Sequence, residues 1–236
     1  MKEKTSNYIL LLLSIAPFII TAIGIQFLPD QIPMHYNAAG EIDRWGSKYE
    51  EFILAVAFSL SGWILWLVAR FSGCFADTEE EYVKAKENAK IVRITGIATQ
   101  LFLCVLQIIF LIGAAKEASS GATVSVMPIW KIVGLGTGIL FVLLGNIMPK
   151  AKPNSLVGIR TPWSFSSEEM WVKSQRIGGI SFAIGGALCI LFSLIMSGFV
   201  IFWVIMITTL GAAAVSVLYP VYLEKHEIKG ESEKNG

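Results

Sequence analysis

The chain has 236 residues, 54% of them hydrophobic and 16% charged, with a mean hydropathy of +0.63 and a net charge of +1. Soluble domains carry roughly 25% charged residues, so this composition points to a membrane protein, and the near-neutral charge removes the case for direct nucleic-acid binding. Cys74, Cys104 and Cys189 are too few and too scattered for a disulfide framework or a metal site.

Six apolar runs of about 20 residues, the length a bilayer core requires, are expected to be membrane-spanning helices. They are Tyr8–Phe27, Phe52–Phe71, Ile94–Ala115, Ile129–Met148, Ile177–Met196 and Phe199–Leu218. The first lacks a small-x-small cleavage site at its end and reads as a span rather than a removable leader. Little more than Ser197-Gly198 parts the last two, which predicts a tight helical hairpin. The expected fold is an all-α integral membrane protein. Its parts are an N-terminal three-helix half (1–127), a C-terminal three-helix half (128–223) and a disordered, charged tail (224–236).

Basic residues set the expected orientation. With the N-terminus inside, 15 of the 19 lysines and arginines fall on the cytoplasmic side, and only Arg44, Lys48, Lys116 and Lys131 do not. Both termini are therefore expected in the cytoplasm. The loop 28–51 then faces outward with Asp30, Glu41, Asp43, Glu50 and Glu51 as an acidic surface. The charged stretch before the third span has helical spacing, with Glu80 and Lys84 four apart, and reads as a solvated extension of that helix. The third outer loop, 116–127, is small, polar and uninformative.

The longest polar interruption runs from Gly145 to Arg176, GNIMPKAKPNSLVGIRTPWSFSSEEMWVKSQR. Proline and glycine fix backbone shape there, asparagine and arginine supply directed hydrogen bonds, and tryptophan suits a membrane–water boundary. The outer loop echoes it. Pro29-x-x-x-Pro33 matches Pro149-x-x-x-Pro153, and Gly40-x4-Trp45-x4-Glu50-Glu51 matches Gly158-x4-Trp163-x4-Glu168-Glu169. Each also holds a capping-box pattern, Ser47-x-x-Glu50 and Ser166-x-x-Glu169. Three spans per half is odd, so a repeat implies two inverted three-helix halves, as in transporters. The competing reading is a coincidence between two boundary loops of similar composition.

Chemistry is sparse. His35 among Asp30, Glu41 and Asp43 fits no zinc spacing, and solvated loop acids rarely act as a base. No nucleophile–base pair, phosphate loop or HExxH is present, so neither a catalytic residue nor a cofactor is expected. Gln100 and Gln107 lie seven apart in the third span and are expected to bond across helices. The glycines of Gly134–Gly138, Gly178-Gly179 and Gly185-Gly186 are expected to let helices approach closely. No acid or histidine lies deep in a span, which argues against an ion-coupled pump.

The run Gly145-Asn146, Met148-Pro149, Pro153-Asn154, Gly158-Ile159-Arg160-Thr161-Pro162-Trp163, Glu169 and Trp171 resembles the signature of the SdpI family. The outer run Ile32-Pro33-Met34-His35-Tyr36-Asn37, Gly40 and Asp43-Arg44-Trp45-Gly46-Ser47-Lys48 resembles a domain of unknown function that often precedes it. Where the family pattern places a histidine before an arginine, this chain has Gln175 before Arg176. The resemblance implies a multi-pass protein of the bacterial cytoplasmic membrane, in contact with lipids, that confers immunity to a secreted toxic peptide. It also implies a receptor role, capturing a small DNA-binding repressor. Pro33, His35, Asn37, Gly40, Asp43, Trp45 and Lys48 are then candidate peptide contacts. Asn146, Pro149, Asn154, Gly158, Arg160, Thr161, Pro162, Trp163, Glu169, Trp171 and Arg176 are candidates for shaping the inner face and relaying occupancy. The alternatives are a transporter of small molecules, lipids or peptides, and a membrane-embedded enzyme.

Overall fold

The six apolar runs close into six helices in the computed structural model, which describes residues 2–74, 76–154 and 157–234, with side chains up to residue 222. The helices are α1 (Glu3–Gly24), α2 (Glu51–Phe71), α3 (Glu79–Ser120), α4 (Ile129–Ile147), α5 (Glu168–Ile195) and α6 (Val200–Lys234). All six are long and apolar enough to cross a membrane. The all-α fold and the charged extension of α3 follow the sequence, and Lys84 Nζ lies 2.6 Å from Glu80. The turn between α5 and α6 is as short as expected, with Gly198 at φ +70°. The tail expected to be disordered, 224–236, has its side chains outside the described residues.

Outside the helices, the outer loop folds into an antiparallel hairpin of β1 (Gln31–Tyr36) and β2 (Ile42–Ser47), which the sequence reading treated only as a shaped loop. The third outer loop proves informative too. It runs along β2, with the Ile42 amide donating to the Thr123 carbonyl at 2.8 Å and the Ser125 amide to the Gly40 carbonyl at 2.8 Å. Ile25, Leu28, Ile32, Leu111 and Ala114 form an apolar cluster that seats the hairpin on α3 and on the turn that follows α1.

Helix starts are fixed by side chains that satisfy free amides, each contributing about 1 kcal/mol. Thr78 accepts from the Glu81 amide at 3.2 Å, and Ser47 with Glu50 forms the expected capping box before α2. The second box differs. Ser167, one residue after the expected Ser166, caps α5 through the Met170 amide at 3.0 Å. Ser166 instead turns back to the Trp163 carbonyl at 2.8 Å, and Glu169 pairs with Lys173 at 3.0 Å.

Helices α1, α2 and α3 pack chiefly on one another, as do α4, α5 and α6. The α4–α5 seam rests on absent side chains. A Cβ on Gly138 would lie 2.7 Å from the Gly186 carbonyl, and one on Gly186 would lie 2.5 Å from the Gly138 carbonyl. Two turns along, Gly145 and Gly179 repeat the exchange at 2.4 and 2.5 Å. Gln100, wholly buried, donates to the Phe58 carbonyl at 3.3 Å and to Ser61 at 2.9 Å, the cross-helix bond expected of it.

Candidate functional site

Two places gather the polar residues singled out in the sequence. The first is the hairpin. Its turn is built by Asn37, whose Oδ1 accepts from the amides of Ala39 at 2.9 Å and Glu41 at 3.0 Å. Gly40 follows at φ +84°, a conformation that favours glycine. Pro33 is buried opposite Trp45, and Lys48 is tied to the Leu28 carbonyl at 3.2 Å and to Asp30 at 3.1 Å. These four candidates therefore give the loop its shape.

His35, Asp43 and Trp45 are its exposed face. His35 Nδ1 lies 2.5 Å from Asp43 Oδ1, with the two side chains 63% and 43% exposed, and the Trp45 ring is also open. An imidazole–carboxylate pair on an exposed rim is suited to contact rather than to proton transfer in a water-free site. The acidic surface expected here is reduced by internal pairing. Glu50 binds Arg44 at 2.8 Å, Asp43 binds His35, Asp30 is paired with Lys48 and Glu51 is buried; Glu41 and the largely exposed Asp30 still face out.

Beneath the hairpin lie two buried acids, Glu51, which the sequence reading placed on the acidic outer surface, and Glu117, which it left unassigned. Glu117 of α3, wholly buried, accepts from the Tyr36 hydroxyl at 2.5 Å and the Val126 amide at 2.8 Å. Glu51 at the start of α2 accepts from Gln107 Nε2 at 3.2 Å. Burial, reinforced by the bond to Glu117 and the nearby carboxylates, pushes the Tyr36 phenol well above its usual range and keeps it a donor. Gln107 and Glu117 stand ten residues apart, nearly three turns on one side of α3, and that spacing was the available signal. The space between hairpin, α2 and α3 is a cavity of about 390 Å³ bounded by Tyr36, Arg44, Glu51 and Phe110.

The second place is the loop from α4 to α5. Buried Trp171 donates its indole N–H to the Ala151 carbonyl at 2.7 Å, clamping the loop's entry onto α5. Asn154 holds the next bend, accepting from the Val157 amide at 2.6 Å and donating to the carbonyls of Lys152 at 2.6 Å and Val157 at 3.0 Å. Gly158 adopts φ +99°. Thr161 and Ser164 close a small turn, each side chain accepting from the other's amide at 3.1 and 2.9 Å. Asn146, Pro149, Arg160, Pro162, Glu169 and Arg176 are exposed and Trp163 is half-buried, so the loop presents a polar rim on a fixed backbone.

Two amides that the sequence reading did not assign to this task hold that backbone. Gln175, wholly buried on α5, accepts from the Ile159 amide at 2.9 Å and donates to the Ile159 carbonyl at 2.9 Å. Asn88 of α3 does the same to Lys152, at 3.0 Å from its amide and 3.1 Å from its carbonyl. Each side chain satisfies one residue's donor and acceptor together, and Asn88 does so from the other helix group. Behind the loop, a cavity of about 620 Å³ reaches between Leu65, Thr95, Leu144, Phe182 and Ser216.

Residues 150–222 match the SdpI/YfhL protein family. Residues 12–60 match a domain of unknown function, DUF1648, so both resemblances read from the sequence are found, each on its own half of the chain. The chain is also 24% identical over 211 residues to a Bacillus subtilis (strain 168) protein named Immunity protein SdpI, covering 89% of this chain and 91% of that protein. No solved structure matches the chain.

Proposed function

We propose that this chain is a multi-pass immunity protein of the bacterial cytoplasmic membrane that protects its cell from a secreted toxic peptide. The observation that supports this is the extent of the similarity to an immunity protein, which spans both shaped loops and 89% of the chain. In this reading the hairpin lies outside, as the distribution of lysine and arginine favours. An amphipathic peptide would stack on Trp45 and meet the His35–Asp43 pair, while Asp30 and Glu41 attract its basic groups. The inner loop, held rigid by Trp171, Gln175 and Asn88, would relay occupancy through its exposed rim around Arg160, the face at which a small DNA-binding repressor would be captured. The test is expression of the full chain in a strain sensitive to membrane-depolarising peptides. Protection against at least one peptide, lost in Trp45→Ala at equal expression, is expected; undiminished killing across the panel would refute the reading.

The cavity of about 620 Å³ favours a second reading, passage of an apolar substrate between the two helix groups. Faster loss of a preloaded apolar dye from expressing cells, without protection from any peptide, would favour it over immunity.

A further inference from the structure

Neither loop uses Arg93, at the start of the apolar stretch of α3. Its side chain is only 6% exposed. Arginine keeps its charge at every physiological pH and carries five N–H donors that a buried setting should occupy. Here Nε and Nη1 are both buried without a hydrogen-bond partner. The nearest carboxylate is Glu3 of α1, 3.6 Å from Nη1, and the same Glu3 oxygen is 3.4 Å from Lys86 Nζ. A charge-assisted hydrogen bond runs at about 2.7–2.9 Å, so one half-exposed carboxylate is spread between two cations, with a long hydrogen bond from Lys86 and none from Arg93. An ion pair of purely structural purpose accounts for Glu3; it leaves the donors of Arg93 idle.

These groups line a cavity of about 510 Å³, together with Lys90, Tyr82 and Ser6. Two more carboxylates, Glu79 and Glu87, face it, and Glu87 lies 4.0 Å from Lys152. We propose that this cavity binds a phosphate-bearing anion, either the headgroup of an anionic phospholipid or a soluble phosphate. Arg93 is the anchor, and Glu3 is the carboxylate the anion displaces. A phosphate group has enough acceptor oxygens to occupy both idle donors at once and still reach Lys86. Ile94 and Tyr82 flank the site with apolar and amphipathic surface, as the junction of a headgroup and its chains requires. Supply from the cytoplasmic leaflet, which is rich in anionic lipid, follows from the N-inside orientation proposed above; the anion chemistry does not depend on it.

The test uses the full chain in neutral detergent, following thermal unfolding while titrating phosphatidylglycerol, phosphatidylcholine and inorganic phosphate separately. Saturable stabilisation by phosphatidylglycerol, at lower concentration than by phosphatidylcholine, is expected. Arg93→Gln should weaken the half-saturating concentration roughly tenfold, the equivalent of about 1.4 kcal/mol. Glu3→Gln should strengthen it, because the competing carboxylate is gone. That opposite sign is what a structural ion pair cannot give. Saturation by inorganic phosphate alone would assign the site to a soluble ligand and support it equally. The proposal is overturned if both substitutions lower the unfolding midpoint and leave every titration unchanged, or if neither phosphatidylglycerol nor phosphate saturates. Should Arg93→Gln fail to fold, Glu3→Gln and Lys90→Gln carry the test through their opposite shifts. None of these readouts involves a toxic peptide, so the proposal stands or falls separately from immunity.

Discussion

Replacing Gln175 with leucine would remove both hydrogen bonds that hold Ile159 to α5 while keeping the side chain's bulk. The amide and carbonyl of Ile159 are then left in a buried setting, at about 1–3 kcal/mol each. The added apolar burial returns roughly 1 kcal/mol. The net loss is about 1–5 kcal/mol, which for a chain of this size lowers the unfolding midpoint by roughly 2–20 °C. Thermal unfolding of the purified protein reads this directly, and limited proteolysis at residues 157–160 shows whether the loop comes away first. Gln175→His, the residue that the resembled pattern places before the arginine, separates the causes. A rigid ring cannot reach both groups of one residue, so an intermediate loss is expected. A leucine variant with an unchanged midpoint and an equally protected loop would refute the reasoning.

Asn88→Ala should cost about 1–3 kcal/mol by removing the partner of both backbone groups of Lys152, less than the same loss at buried Ile159 because Lys152 is exposed to water, with the inner loop more open to protease than in the parent. Gly145→Ala places a methyl group 2.4 Å from the Gly179 carbonyl, so α4 and α5 must part; a destabilisation of about 1–3 kcal/mol is expected, and none would show that the seam yields freely. The raised pKa of Tyr36 makes its contribution present below about pH 10 and lost as pH rises beyond it. Tyr36→Phe should be less stable than the parent at pH 8, with the gap closing in strong alkali. Cysteines placed at positions 45 and 163 should react with impermeant reagents from opposite sides of intact cells; labelling from one side would remove the mirrored halves and the sensing role together.

The spans were legible because a bilayer leaves one solution to an apolar run of that length. Ser47-x-x-Glu50 was legible because a capping box is local. The hairpin was less so: β1 is six residues with a proline inside, and its stability comes from Leu111 and Ala114 of a distant helix. Glu51 and Glu117 were missed for the same reason, since nothing in a short polar loop tells a solvated acid from one that a tyrosine eighty-one residues away will seal in. Gln175 stood in the sequence only as a departure from the resembled pattern, when what the position supplies is a donor and an acceptor to one peptide unit. Ser166 and Ser167 could each have capped α5, and only the path of the preceding turn chose between them.

That choice bears on the repeat. Both α1 and α4 leave through a single tight turn, Ile25–Phe27 and Met148–Lys150, into a loop with a glycine at positive φ, then a serine-capped helix start. The shared features are those that steer the chain: where it leaves, where it bends, where the next helix begins. The features that differ are those that fill space, a paired hairpin on one side and side-chain staples on the other. Glycine at the bend and serine at the cap survive in both because no other residue type does either job as cheaply. The inverted repeat proposed from the sequence would make these one path through the membrane used in two opposite directions, with each loop meeting a different compartment. Under that proposal the hairpin and the GIRTPW loop would be equivalent in position and distinct in task, the one reading what arrives from outside and the other presenting the result within.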